Sequence, residues 1–317
     1  MHFNRVYIEV SNICNLQCHF CPEVERANQI LSTEKFNSIL REVAPYTDQV
    51  CLHVMGEPLA HPEFSELVGE CGQQNLKVQI TTNATLLRPK NVLALLSPQV
   101  RQVNISLQSF AANLKSDEKS LGSCQVKLQQ YLDSIFEFSK KAQELRPDLF
   151  VQFRMWNDGA IESALEAEIN SLMLKKVEEY FSVKIDFSKI DLQFKKSFPL
   201  GGRFSIQFDS RFRWPNMKDD ILSEIGFCHA LSSHIAIHAD GKVVPCCLDK
   251  EAKINLGNIF EKRFSEILDG SRLNKMKSGF AAGKLCEALC QRCDFVTRFA
   301  GKAKRISQKS QIAKEFV

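Results

Sequence analysis

The 317-residue chain has little charge of one sign, with 41 Lys and Arg set against 37 Asp and Glu for a formal net charge of +4. That balance excludes a strongly acidic or histone-like protein and decides nothing further. The opening residues, Met1 to Tyr7, contain no basic segment followed by an apolar run, so no secretory signal is expected. No apolar stretch approaches the roughly 20 residues that span a bilayer. The expectation is a soluble cytoplasmic protein with no membrane partner. Internal repeats and low-complexity tracts are lacking too. With 44% hydrophobic residues, the chain can bury one large core, or one large and one small.

Cysteine is not scarce, since the chain carries 12. In a reducing compartment these are thiols or metal ligands rather than disulfides. Cys51, Cys71 and Cys124 stand alone in apolar segments and read as small buried fillers. The others fall into two groups near opposite ends of the chain.

Between those groups, strand-like and helix-like segments alternate. Arg5–Val10, Gln49–Met55, Lys77–Thr82, Gln102–Leu107 and Phe150–Met155 are short, apolar and β-branched or aromatic, and read as strands. Phe36, Ile39, Leu40 and Val43 recur at helical spacing behind Ser32 or Thr33 as cap. Pro62 can open a helix carried by Phe64, Leu67, Val68 and Cys71, and Pro89 one carried by Val92, Leu93, Leu95 and Leu96. Longer helices are expected near Gln125–Leu145 and Ala160–Phe181. Repeated βα units imply parallel strands with crossover helices, an α/β barrel or open sheet whose ligands gather at the strands' C-terminal ends. Further on, Ser233–Ala239 and Lys242–Pro245 flank Asp240-Gly241, a hairpin turn pair, and a helix follows around Phe260–Leu268. Three parts are expected: residues 1–215, residues 216–297, and a basic tail over 298–317.

Directly after the first strand, Cys14, Cys18 and Cys21 form a CxxxCxxC loop. Three thiolates so close together can wrap one face of a cubane cluster, each on its own iron, leaving a fourth iron open to an exchangeable ligand. The spacing also admits a zinc knuckle completed by a distant residue such as His19. This loop, with Phe20 before its last cysteine, resembles the radical SAM superfamily. Met55-Gly56-Glu57-Pro58 after strand two is similar to that family's GGE-type motif, with Met55 in place of the first glycine. The resemblance covers about residues 5–200. It implies a partial (β/α)6 TIM-like barrel. It further implies that Phe20, Gly56, Glu57, Asn83, Ser106, Gln108 and Arg154 contact S-adenosylmethionine (SAM) on a [4Fe–4S] cluster held by Cys14, Cys18 and Cys21. Arg154 suits the methionine carboxylate, and Ser106 or Gln108 the ribose hydroxyls. The implied reaction is one-electron cleavage of SAM to methionine and a 5′-deoxyadenosyl radical that abstracts a substrate hydrogen, with the cofactor supplying the hard step.

The second group is Cys228, then the Asp240-Gly241 hairpin, Cys246 and Cys247, Leu256-Gly257-Asn258, and finally Cys286, Cys290 and Cys293. A hairpin closing two cysteines, joined by a distant CxxC, can surround one metal centre with four thiolates, and structural zinc fits the same ligands as an iron–sulfur cluster. The order of these motifs resembles the SPASM/Twitch extension of radical SAM enzymes. It implies a small β-hairpin-plus-helix domain with one auxiliary [4Fe–4S] cluster on Cys228, Cys246, Cys290 and Cys293. Cys247 and Cys286 are extra: either can replace one of these ligands, ligate a second partial cluster, or remain a plain thiol, the last being the favoured reading. Such a cluster could accept an electron from a substrate radical.

The resemblance implies a radical SAM oxidoreductase or maturase. Its substrate would be a peptide, a protein side chain or a small molecule, and its electrons would come from a one-electron donor such as flavodoxin or ferredoxin. Because the sequence starts at the first strand, no N-terminal leader-peptide-binding domain is expected, which weighs against a peptide substrate. Gly201-Gly202-Arg203 and the run to Pro215 read as an interdomain connector, or as a substrate-pocket lining in which Asp209 and Arg211 are polar contacts. A basic tail with Arg298, Lys302, Lys304, Arg305, Lys309 and Lys314 is the one hint of an RNA substrate. A non-enzymatic zinc or redox protein is the remaining alternative.

Overall fold

In chain order the computed structural model runs β1 (Arg5–Ile8), α1 (Thr33–Val43), β2 (Gln49–Cys51), α2 (Phe64–Gln73), β3 (Lys77–Thr82), α3 (Pro89–Leu95), β4 (Val100–Ser106), α4 (Gln108–Ala111) and α5 (Leu121–Leu145). It continues through β5 (Phe150–Trp156), α6 (Ala164–Phe181), β6 (Ser197–Gly201), β7 (Phe204–Asp209), β8 (His234–Ile237), β9 (Lys242–Val244), β10 (Gly257–Asn258), α7 (Phe264–Leu268), α8 (Ser271–Ala281) and α9 (Ala288–Gln291). The described residues are 1–114, 120–156, 163–190, 196–209 and 213–299. Arg211 and the tail lysines from Lys302 onward lie outside them.

Local chemistry explains most of these elements. Ser32 caps α1 by accepting from the Lys35 amide, and Phe36, Ile39, Leu40 and Val43 form its buried stripe. Pro89 opens α3, where its missing N–H costs nothing. Leu93 departs from expectation: it is 71% exposed, because the helix buries Val92 and Leu95 and turns the residue between them outward. Pro62 lies before α2 rather than opening it, and Glu63 stands at the N-cap.

The described residues cluster into two compact units that interleave along the sequence. The first gathers Met1–Asn12, Glu23–Met55 and Phe212–Val317, and the second gathers Ile13–Pro22 and Gly56–Arg211. In the first unit the strands run β10-β9-β8-β1-β2. β1 pairs in parallel with both β2 and β8, and β9 continues antiparallel from β8 through the Asp240-Gly241 turn. Val6 and Ile8 are fully buried, and Arg5 and Tyr7 alternate with them on the opposite face. Gly241 sits at φ +83°, where a Cβ would also strike Asn258 and Phe260, so glycine is required twice over.

In the second unit the strands run β3-β4-β5-β7-β6, parallel from β3 to β7. Ile80, Val103, Ile105, Val151, Phe153 and Ile206 are buried along them. The first part of the glycine–arginine stretch, up to Asp209, is not a connector: it lies in the β6–β7 antiparallel hairpin, with Gly201 and Gly202 at positive φ in the turn. Parallel strands joined through helices, with antiparallel hairpins added, give the α/β class that the sequence implied.

Candidate functional site

In the second unit, the loop of Cys14, Cys18 and Cys21 is anchored by its own backbone. The Gln17 amide donates to Asn113 Oδ1 at 3.2 Å, the His19 amide to the Ala112 carbonyl at 3.2 Å, and the Cys21 amide to the Cys18 carbonyl at 2.9 Å. Cys14 and Cys21 are exposed and Cys18 is half-buried. Burial pushes the Cys18 thiol up to about 12, and the nearby Cys14 and Cys21 sulfurs add to the effect. Cys14 is raised for the same first reason. Phe20 lies edge-on to His19, whose Nε2 is 2.7 Å from Glu166 Oε1 in the first turn of α6.

Beside the loop stands a polar knot. Gly56, at φ +75°, leads to Glu57, whose buried carboxylate accepts from Thr82 Oγ1 (2.6 Å), the Asn83 amide (2.7 Å) and the Leu59 amide (3.1 Å). Burial lifts its pKa to about 7. The Glu57 amide donates to the Ile13 carbonyl, and Asn83 Nδ2 reaches Cys14 Sγ at 3.9 Å and Asn15 Oδ1 at 3.1 Å. Cys14, Glu57, Thr82 and Asn83 are thus brought together. Ser106 and Arg154 are register partners on β4 and β5, and Gln108 opens α4 just beyond. Gln108 is buried, and its Oε1 has no hydrogen-bond partner among the described residues. Asp209 closes β7 and is held by Lys196 at 2.7 Å.

The second cysteine group lies wholly in the first unit. Cys246 lies beside Cys247, Cys228 and Cys290, and Cys290 beside Cys228 and Cys293. Burial and then these mutual repulsions drive the Cys246 and Cys290 thiols well above their ordinary range. Cys293 is pushed up to about 12, chiefly by burial. The hairpin carrying Cys246 is fixed by Asn258, whose Nδ2 donates to the Asp240 carbonyl at 3.0 Å. Gly257 packs tightly on Ile267, which accounts for the Leu256-Gly257-Asn258 segment.

Two family descriptions match this chain: the radical SAM superfamily over residues 8–153, and the SPASM iron–sulfur cluster-binding domain over residues 228–294. The chain carries a radical SAM domain and a SPASM domain. It is similar to the PqqA peptide cyclase of Rhodopseudomonas palustris, 31% identical over 112 residues, which cover 34% of this chain and 30% of that protein. It is also similar to the GTP 3′,8-cyclase of Synechocystis, 29% identical over 36% of each chain. These matches therefore span about a third of the relatives' length. Among solved structures, BtrN in complex with AdoMet and 2-DOIA shares the fold at TM-score 0.56 and 14% identity, over 93% of this chain and 94% of that one. Streptococcus suis SuiB bound to precursor peptide SuiA does so at TM-score 0.57 and 18% identity, over 92% and 71%.

The radical SAM domain implies a [4Fe–4S] cluster and SAM, and the SPASM domain implies auxiliary iron–sulfur clusters. The residues fit these groups. Each site gathers thiols whose protons are held by burial and by one another, a penalty that bound iron would reverse by deprotonating them outright. Among the described residues no three His, Cys, Asp or Glu side chains converge closely enough to hold a single metal ion. A cubane makes no such demand, since each thiolate takes its own iron. The unpartnered Gln108 oxygen supplies an acceptor beyond β4.

Sequence reasoning missed two features of this radical SAM chain. Tyr131 of α5 donates to the Asn83 carbonyl at 3.0 Å and stacks on Phe110, supporting the knot from behind. In the first unit, Glu9 is fully buried and accepts both guanidinium nitrogens of Arg26 at 3.0 and 2.7 Å. A charged residue inside the apolar run Arg5–Val10 was the available signal, because a buried charge demands a partner. Nothing in the spacing named Arg26.

Proposed function

We propose that this radical SAM enzyme modifies a peptide or protein side chain. In this reading Cys14, Cys18 and Cys21 hold the SAM-binding cluster, and Cys228, Cys246, Cys290 and Cys293 hold one auxiliary [4Fe–4S] cluster. The observation that carries it is the pairing of a three-thiol loop with a second, more enclosed set of four neighbouring thiols. The peptide assignment is supported by the similarity to PqqA peptide cyclases and by the shared fold with SuiB bound to its precursor peptide. When bound, the cluster and SAM supply a carbon-centred radical able to take a hydrogen atom from an unactivated position.

The chain's own residues then have distinct tasks. The loop presents three sulfurs and leaves the fourth position open. The Glu57 knot fixes the Thr82-Asn83 turn against Cys14. Gln108, Ser106 and Arg154 offer an acceptor, a hydroxyl and a cation for the ribose and carboxylate of SAM, and Phe20 and Gly56 flank the loop. Asp209, paired with Lys196, is a candidate polar contact for substrate. Cys228, Cys246, Cys290 and Cys293 would fill every protein position of an auxiliary cluster, which suits accepting an electron rather than binding substrate.

Anaerobically reconstituted protein given dithionite and SAM should release 5′-deoxyadenosine. Cys14→Ala, Cys18→Ala and Cys21→Ala combined should abolish that product while retaining about half the iron. Intact SAM in the wild-type reaction, or product formation by the triple variant, would refute the assignment.

A further inference from the structure

Glu9 lies just before the first cysteine group in sequence and Arg26 just after it, and together they close a neck. Arg26 offers its fork to the Glu9 carboxylate, which also accepts from the amides of Met55 (3.4 Å) and Ala239 (3.1 Å). Next to this pair, Asn12 Oδ1 accepts from the Gln29 amide at 2.7 Å and Asn12 Nδ2 donates to the Ala27 carbonyl at 2.9 Å. Ser11 bridges Ile30, and the Leu31 amide donates to the Val10 carbonyl at 2.9 Å. Every residue of the neck belongs to the first unit. The segment it closes carries Cys14, Cys18 and Cys21.

The same neck is fastened to the turn that follows Cys246 and Cys247. Arg26 Nε donates to the Lys250 carbonyl at 2.6 Å, Lys250 Nζ donates to the Glu23 carbonyl at 2.6 Å, and the Glu25 amide donates to Glu251 Oε1 at 2.9 Å. Lys250 and Glu251 also pair with each other at 2.6 Å, each with only about a tenth of its side chain exposed. Asp249, buried, holds this turn by accepting from the amides of Lys253 and Ile254. A few residues therefore separate a thiol of the second cysteine group from a rigid tie to the neck of the first. Charge-assisted bonds made by half-buried groups are the stronger kind, and three of them converge here.

We propose that Arg26, Lys250 and Glu251 are positioning residues that couple the two cysteine groups, so that a filled auxiliary site holds the neck of the first cysteine loop. The inference rests on the reading of two iron–sulfur centres given above. It assigns the auxiliary site a mechanical role beside any electronic one: losing its metal frees the 249–251 turn, and the neck loosens with it.

The test compares full-length, anaerobically reconstituted proteins: wild type, Lys250→Met with Glu251→Ala, Cys290→Ser with Cys293→Ser, and the combination. Lys250→Met and Glu251→Ala leave the buried Glu9–Arg26 pair intact. The readout is the rate at which a chelator removes iron from the first site, followed by the electron paramagnetic resonance signal of its reduced cluster. Each pair of substitutions should speed that loss several-fold, and the combination should be no faster than either, because both cut one link. Multiplying rates, or a Lys250→Met/Glu251→Ala protein as slow as wild type, would overturn the proposal. Arg26→Lys is a second check, keeping the charge beside Glu9 while losing the fork and the Nε tie. It should give an intermediate rate, and a wild-type rate counts against the coupling. A failure of the two-centre reading looks different, since the first-site signal would then be missing before any chelator is added.

Discussion

The two cysteine groups differ in how far the fold has closed over them. Cys14 and Cys21 are exposed on a loop held by backbone hydrogen bonds, whereas Cys293 is buried and Cys228, Cys246 and Cys290 are partly covered by hairpin and helix. An open set of three suits a site that must exchange a ligand, and an enclosed set of four suits one that must not. On the proposed reading, the difference teaches that metal at the second site would be part of the fold, while metal at the first would be carried by a loop already held by its own backbone bonds. The sharpest way to break this contrast is by stability. Cys290→Ser with Cys293→Ser should destabilise the anaerobic protein by several kcal/mol, because metal-binding energy at an enclosed site is folding energy. The Cys14/Cys18/Cys21→Ala protein should melt within about 1 kcal/mol of wild type. Thermal unfolding that ranks the two variants the other way would remove the distinction.

The units that carry the two groups also differ in how they respond to pH. In the first unit, burial holds His234 and His238 down to about 4, against an ordinary value of 6.5. Arg5 and His229 lower His234 further; around His238, Glu9 and Asp240 oppose Arg26 and Lys242. Between pH 6.5 and 4 the unfolded chain binds protons that the folded rings refuse, so stability falls as pH falls, by up to about 3 kcal/mol per ring. Glu57 in the second unit runs the other way. Its pKa is raised to about 7, so the folded form keeps a proton that the unfolded chain has lost, and stability falls as pH rises from 4.5 to 7. Amide hydrogen exchange on metal-free protein should show β8 opening more readily in acid and β3 opening more readily toward neutrality. His238→Leu should flatten the first trend and Glu57→Gln the second. Parallel responses of both strands would show that these groups do not set them.

Much of this was legible in the sequence where a local rule acts alone. Lys77–Thr82 is the strand its short apolar, β-branched run implied, Ser32 caps as its chemistry requires, and Asp240-Gly241 turns because glycine can take a positive φ. Legibility failed where distant partners decide. Residues 52–55 leave the β2 ladder, and the Met55 amide donates to the Glu9 carboxylate across a long stretch of sequence. The β6–β7 hairpin was hidden by glycines and arginines that read as a linker, although Phe204, Ile206 and Phe208 alternate with period two and are buried accordingly. At the sites, the cysteine spacings announced which thiols could share a centre, because ligand spacing is local. The partners of Glu57 and Glu9 could not be read in advance, because a buried carboxylate draws its donors from wherever the fold brings them.

The smallest effects separate ligands from neighbours within the second group. Cys247 follows Cys246 directly, yet it packs with Tyr7, Val24, Trp214 and Ala252 against Val54, Met55, Ala236 and Val244. Cys286 fills the space over Gly279, where a Cβ would collide with its sulfur, and its thiol donates to the Lys275 carbonyl at 3.7 Å. Cys247→Ser should cost about 1–3 kcal/mol for placing a hydroxyl in an apolar cluster, and leave the iron content unchanged. Cys286→Ser, with a backbone acceptor already beside it, should cost less than about 1 kcal/mol, again with full iron. Iron analysis beside a melting curve decides the matter. A drop in iron from either substitution would move that cysteine into the ligand set, and the boundary drawn between four enclosed thiols and their neighbours would have to shift with it.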